Sequence, residues 1–148
     1  MKSDRSERRI RMGTLRPRYA FVLNPNREAR FTRCPRCEAK TRLRKLPLVI
    51  HVEGGGLAIL GKTCRLCVAC DLLIAHQAEV EREVGGALNR AVKGADFVVL
   101  GTVDRQVWRH GLSRPLSFDA IKAHMSDFDA YLRIETIPGG WYQINTTG

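Results

Sequence analysis

Apolar and polar positions along this chain change rhythm several times, and each change predicts an element. In RPRYAFVLNPNREARF the run YAFVL reads as a short strand, closed by the turn-forming Asn24-Pro25-Asn26. Farther on, the apolar runs LPLVIHV and LAILG flank Gly54-Gly55-Gly56. That pattern predicts a β-hairpin whose turn uses glycine because positive φ costs it little. In CDLLIAHQAEVEREV, Leu73, Val80 and Val84 recur at helical spacing among Glu79, Glu81, Arg82 and Glu83. A helix opening at Asp71 and ending at Gly85-Gly86 follows. GALNRAVKGA reads as a connector with at most one helical turn, and DFVVLG as a buried strand.

In TVDRQVWRHG, Thr102 is positioned as an N-cap, Val103 and Val107 share a face, and Gly111 closes a helix. A second helix starts after Ser117, with Ile121 and Met125 turned inward. YLRIETI and WYQI are strands joined through Pro138-Gly139-Gly140. The C-terminal part thus reads β-α-α-β-β, and the fold class is α+β.

Five cysteines change this picture. Cys34-Pro-Arg-Cys37 is one CxxC pair, and Cys64-Arg-Leu-Cys67-Val-Ala-Cys70 offers three thiols at steps of three. Two CxxC pairs suit a tetrahedral four-sulfur zinc site, because each turn aims two thiolates at one ion and the ion clamps two distant segments. Two sets are open. Cys34, Cys37, Cys67 and Cys70 would place the second pair at a helix start, where free N–H groups and the helix dipole stabilise thiolates. Cys34, Cys37, Cys64 and Cys67 would place both pairs at hairpin ends. The apparent helix at Asp71 favours the first set, leaving Cys64 as a small buried residue. Iron in a rubredoxin-like cage fits less well, since Glu38 and Asp71 stand where glycine would follow each pair. His76 is read as a packed or exposed side chain and not as a ligand.

LCVACDLL resembles the helix-opening turn of GATA-type treble-clef fingers, and the two-pair arrangement is similar to bacterial zinc-ribbon proteins. The resemblance implies Cys34 and Cys37 as ligands from the first turn, Cys67 and Cys70 as ligands from the helix, and Zn2+ as cofactor. The expected organisation is a disordered basic arm over 1–18, a zinc-binding treble clef (β-hairpin plus helix) over 19–86, and a small α/β unit over 87–148.

Charge adds a partner. The formal net charge is +10, and residues 1–50 carry 15 Lys+Arg against 4 Asp+Glu. Residues 51–148 carry 10 against 11, so the whole excess lies in the first third. An acidic polymer, nucleic acid in particular, is the expected partner. Arg8, Arg9, Arg11, Arg16, Arg18, Arg42, Arg44 and Lys45 are the expected phosphate contacts. Tyr19, Phe21 and Phe31 interleave with Arg16, Arg18, Arg27 and Arg30, which suits base stacking but equally an edge strand anchoring the arm. Arg33, Arg36 and Arg65 would offset the negative charge of four thiolates.

No reaction is spelled out. Asp104, Arg105, Arg109 and His110 cluster in sequence, but no nucleophile, glycine-rich phosphate loop or HExxH accompanies them. Four thiolates leave zinc no open coordination position. The expectation is a non-enzymatic, zinc-stabilised nucleic-acid-binding protein. The competing expectation is an adaptor, whose C-terminal unit docks a protein partner. No apolar run reaches the ~20 residues of a membrane span, and the opening MKSDRSERRIRMG has no secretory apolar stretch. CxxC spacing and an odd cysteine count suit a reducing, cytoplasmic setting.

Overall fold

The computed structural model describes residues 11–54, 56–110, 117–137 and 141–146. Eight strands form one mixed sheet: β1 (Ala20–Asn24), β2 (Arg42–Val52), β3 (Gly56–Cys67), β4 (Leu72–His76), β5 (Phe97–Val103), β6 (Met125–Asp127), β7 (Ala130–Ile137) and β8 (Trp141–Thr146). Among the described residues, three α-helices accompany them, α1 (Gln77–Leu88), α2 (Arg105–His110) and α3 (Phe118–Ala123), with one 3-10 turn at Gly94–Asp96. The strand order is β6-β5-β2-β3-β4-β1-β7-β8. The α+β class follows directly. Strands from both sides of the boundary expected at 86/87 share this sheet, with β5 beside β2 and β7 beside β1.

The sheet curls. β6 and β7 stand at opposite ends of the seven-strand run, yet only two residues join them. Three residue steps reach at most ~11 Å, so the two ends must approach each other. Phe128 closes the gap by donating its N–H to Leu100 O at 3.1 Å, and Asp129 N–H reaches Tyr19 O at 2.8 Å. Gly101 allows close packing at this seam, because a Cβ there would fall 2.1 Å from Ser126 O.

Alternation along the strands separates two faces. Leu46, Leu48, Ile50 and Val52 of β2, with Leu66, Leu73, Ala75, Phe21 and Phe128, form the concave core, against which α1 packs Val80 and Val84. Lys62 lies on this face almost fully buried, with Nζ 2.6 Å from Glu79 Oε1 and 3.9 Å from Glu83 Oε2. The hydrogen bond from Lys62 holds the Glu79 carboxyl below the usual range. On the convex face, Val22, Phe31, Cys34, Cys67, Leu72, Ile74 and Ile134 form a second cluster. Val49, Val103, Ile121 and Met125 form a third, around α3.

Several elements agree with the sequence pattern. The β2–β3 hairpin turns through Gly54 and Gly56, both at positive φ (77° and 74°). Ser117 caps α3 by accepting Ala120 N–H at 3.1 Å. β7 and β8 pair as expected, and their turn at Pro138-Gly139-Gly140 lies outside the described residues, as does Gly111.

Four expectations need correction. No helix opens at Asp71: Leu72–His76 is β4, and α1 begins only at Gln77. The run LLIA is buried on both faces between β3 and β1, which a central strand provides and a half-exposed helix does not. The helix also passes through Gly85-Gly86, and Asn89 (φ 58°) takes the left-handed cap position. Thr102 belongs to β5, and Asp104 Oδ1 instead accepts Gln106 N–H at 2.9 Å at the start of α2. β1 is no edge strand, since it pairs in parallel with both β4 and β7.

Residues 11–18 are likewise no free arm. Met12 and Gly13 donate backbone N–H to the Asp127 carboxylate at 3.1 and 2.6 Å, and Thr14, Leu15 and Arg18 bond to Lys122 O, Met125 O and Asp127 O. A Cβ at residue 13 would meet Met125 O at 2.2 Å, so glycine permits that approach. Arg8 and Arg9 lie outside the described residues.

Candidate metal centre

Two tight turns build the centre. The first spans Cys34 to Cys37 and is closed by Cys34 N–H donating to Ala39 O at 2.7 Å, Glu38 N–H to Cys34 O at 2.8 Å, and a bridge between Arg33 and Lys40. The second joins β3 to β4, where Cys67 pairs with Leu72 across the hairpin. Both turns share a backbone device. Glu38 (φ 64°) and Asp71 (φ 54°), each directly after the second cysteine of its pair, adopt the left-handed conformation. Glycine is the usual occupant of that conformation, and its absence at these two positions is the sequence argument against a rubredoxin-like iron cage.

The four sulfurs of Cys34, Cys37, Cys67 and Cys70 all lie within 4.8 Å of one another. Cys37 Sγ is 3.5 Å from Cys67 Sγ, and Cys34 Sγ is 4.0 Å from Cys70 Sγ. Arg36 N–H points at Cys34 Sγ at 3.3 Å, the kind of donor that stabilises a thiolate. Such a cluster of soft donors can hold a metal ion. Cys64 is not part of it. Its side chain enters the concave core, and its thiol lies 3.5 Å from Lys62 O. The four sulfurs brought together are therefore those of the set inferred by placing a helix after Cys70, although no helix is there. His76 is also outside the cluster, its Nε2 3.0 Å from Arg27 O.

The surroundings are asymmetric. Cys34 and Cys67 are 1% and 0% exposed, packed among Val22, Phe31, Leu72 and Ile74, whereas Cys37 is exposed. The hydrogen bond from Ala39 N–H, with help from neighbouring thiols, lowers the Cys37 pKa to about 7. Sharing with the Cys37 sulfur, then burial, pushes Cys70 up to about 12, and burial raises Cys67. Burial above all, with the Glu79 and Glu83 carboxylates adding and Lys62 opposing, lifts Cys64 to about 12. Alkylation should read this order directly. Brief iodoacetamide treatment of the chelated protein at pH 7.5 is expected to modify Cys37 first and to spare Cys64 until the chain unfolds. Peptide mass spectrometry checks it, and early labelling of Cys64 would contradict the packing described.

The arginines flanking the turns stay at the surface, with Arg33 and Arg36 exposed and Arg65 half-buried. Arg11, Arg16, Arg18, Arg42 and Lys45 are exposed, and Arg44 is half-buried. Arg18 stacks over the Tyr19 ring at 4.6 Å, so Tyr19 supports an arginine and is itself buried in the core with Phe21. Lys45 faces the Trp108 ring at 5.9 Å, and that indole lies against Gly61, where a Cβ would come within 2.5 Å of it. Arg105, absent from the expected contacts, lines the same cleft as Arg18 and Arg44. Only the spacing of TVDRQVWRHG drew notice to it in the sequence. No helix among the described residues is long and apolar enough to cross a membrane. No family model, curated protein or solved structure matches this chain.

Proposed function

We propose that this protein is a zinc-stabilised nucleic-acid-binding module and not an enzyme. Four thiolates are the donor set that structural zinc favours, and four-coordination leaves no position for substrate or activated water. The second cysteine pair sits in a β-hairpin turn and no helix follows it directly, which favours a ribbon-type zinc unit over a treble clef. The metal would pin the irregular segment 25–41 to the convex face and so hold its cationic surface in place.

The observation that carries the reading is the charge distribution: 15 Lys+Arg against 4 Asp+Glu in residues 1–50, against near balance thereafter. Arginine supplies most of that excess, and its planar fork binds phosphate oxygens two at a time. Binding of single-stranded RNA and of duplex DNA, measured by fluorescence anisotropy across a salt series, tests it. Log affinity is expected to fall linearly with log salt, by about 0.7–0.9 for each phosphate neutralised. Removing residues 1–10 alone leaves the Asp127 contacts intact and is expected to reduce that slope. A flat salt response, or no binding at low salt, would sink the reading.

A further inference from the structure

At the open end of the curled sheet lies a cleft of about 400 Å³. Three separate segments deliver an arginine to it: Arg18 from the lead-in to β1, Arg44 from the outer end of β2, and Arg105 from the start of α2. These positions are far apart in sequence, so no local charge run explains the convergence. Along β2, Leu46, Leu48, Ile50 and Val52 fill the concave core. Arg44 continues the same alternation one step beyond Leu46, so it stands at the mouth of that core. Barrel mouths are frequent ligand sites, and the cleft's volume suits a small molecule or one unit of a polymer.

Arg44 carries the second observation. Its Nε is shut off from solvent and has no hydrogen-bond partner among the described residues. A buried cationic donor left unmet is costly, and a turn of the Arg44 guanidinium toward an oxyanion in the cleft would relieve that cost. Thr102 and Ser126 also line the cleft and offer neutral donors. One carboxylate, Asp104, also lines the cleft, and its Oδ1 already accepts Gln106 N–H. Apolar lining comes from Leu15, 40% exposed, with the buried Leu46 and Val103. A cleft that offers cationic and apolar lining together fits a ligand with a phosphate at one end and a flat ring at the other.

We propose that this cleft binds a nucleoside phosphate, with Arg18, Arg44 and Arg105 on the phosphate and the base against Leu15, Leu46 and Val103. The phosphate belongs either to a free nucleotide or to a nucleic-acid strand. In the second case the site deepens the nucleic-acid reading and rests on it.

The metal-loaded full chain, labelled with 15N-arginine, would be titrated with adenosine 5′-monophosphate, with inorganic phosphate, with adenosine, and with a short single-stranded oligonucleotide. The nucleotide is expected to shift the Arg44 Nε–Hε resonance and to bind more tightly than phosphate or adenosine. Arg44→Gln and Arg18→Gln are each expected to weaken it by about tenfold, the usual loss for a hydrogen bond to a charged group, while Arg82→Gln at an exposed position of α1 changes nothing. If Arg44→Gln does not fold, Arg18→Gln and Arg105→Gln at exposed positions carry the test. Competition between nucleotide and oligonucleotide would identify a strand as the source. Nucleotide binding without strand binding would support the cleft and defeat the nucleic-acid reading. Strand binding undiminished by Arg18→Gln and Arg44→Gln would overturn the cleft alone. Equal affinity for inorganic phosphate and nucleotide would overturn the base-binding wall.

Discussion

Chelating the metal, or replacing Cys67 by serine, is expected to lower the melting temperature by more than about 15 °C. A structural zinc contributes on the order of 10–16 kcal/mol in isolated fingers, comparable with a whole domain's net stability of ~5–15 kcal/mol. At about 2–4 °C per kcal/mol for a chain of this size, loss of even half the lower figure produces that shift. Segment 25–41 is expected to lose most on chelation. It holds no regular strand or helix, and its apolar contacts to the sheet come mainly through Phe31 and Cys34. Cys64→Ser serves as the control, because it alters an equally buried thiol outside the cluster and is expected to cost only ~1–3 kcal/mol. Calorimetry of the loaded, chelated and substituted proteins measures all three. A metal-free chain that melts at the loaded temperature would remove the centre from any account of stability.

The same centre has a definite sign with pH. Metal ligands must be thiolates, so protons compete with the ion. In the metal-free protein Cys70 is pushed up to about 12 and Cys67 is raised, so both are protonated at neutral pH, whereas Cys37 at about 7 is partly ionised. Binding must then release more than one proton. Affinity rises with pH and falls as the solution is acidified. Calorimetric titration in buffers of different ionisation enthalpy counts the protons directly.

The donor set was legible in the sequence because CxxC spacing is a local property: one turn fixes where two sulfurs point. The scaffold behind it was not. Leu73, Val80 and Val84 stand at helical spacing, yet Leu73 belongs to β4 while Val80 and Val84 belong to α1. A fully buried strand followed at once by an amphipathic helix produces one continuous periodicity, and nothing local marks the junction. What makes Leu72–His76 a strand is its pair of neighbours, β3 and the parallel β1, which a local pattern does not record. Gly13 and Gly101 hid the curl in the same way. Each reads as an ordinary glycine until Met125 or Ser126 arrives beside it. The antiparallel β2–β3 and β7–β8 hairpins, whose partners are adjacent in sequence, were readable for the opposite reason.

Phe128→Ala is expected to destabilise the protein by ~3–5 kcal/mol, the usual cost of emptying a buried aromatic site, or about 10 °C in melting temperature. Phe128 is 1% exposed and stacks on Phe21 with ring centroids 4.4 Å apart, while its other side meets the edge of Tyr131 at 5.9 Å. It is also the residue whose backbone spans the seam between the two ends of the sheet. The consequence is sharper than a loss of packing. Cobalt in the cysteine cluster reports on residues 34–70 through its thiolate charge-transfer band, whereas fluorescence reports on Trp141 of the C-terminal part and on Trp108 with its packing against Gly61 of β3. If the shared sheet is one cooperative unit, both signals melt together in the parent protein, and both shift together in Phe128→Ala. Phe128→Leu, which restores much of the volume, should recover most of the loss. Two separated transitions, with only the tryptophan signal displaced, would mean that the segments before and after residue 86 unfold independently in spite of the strands they share.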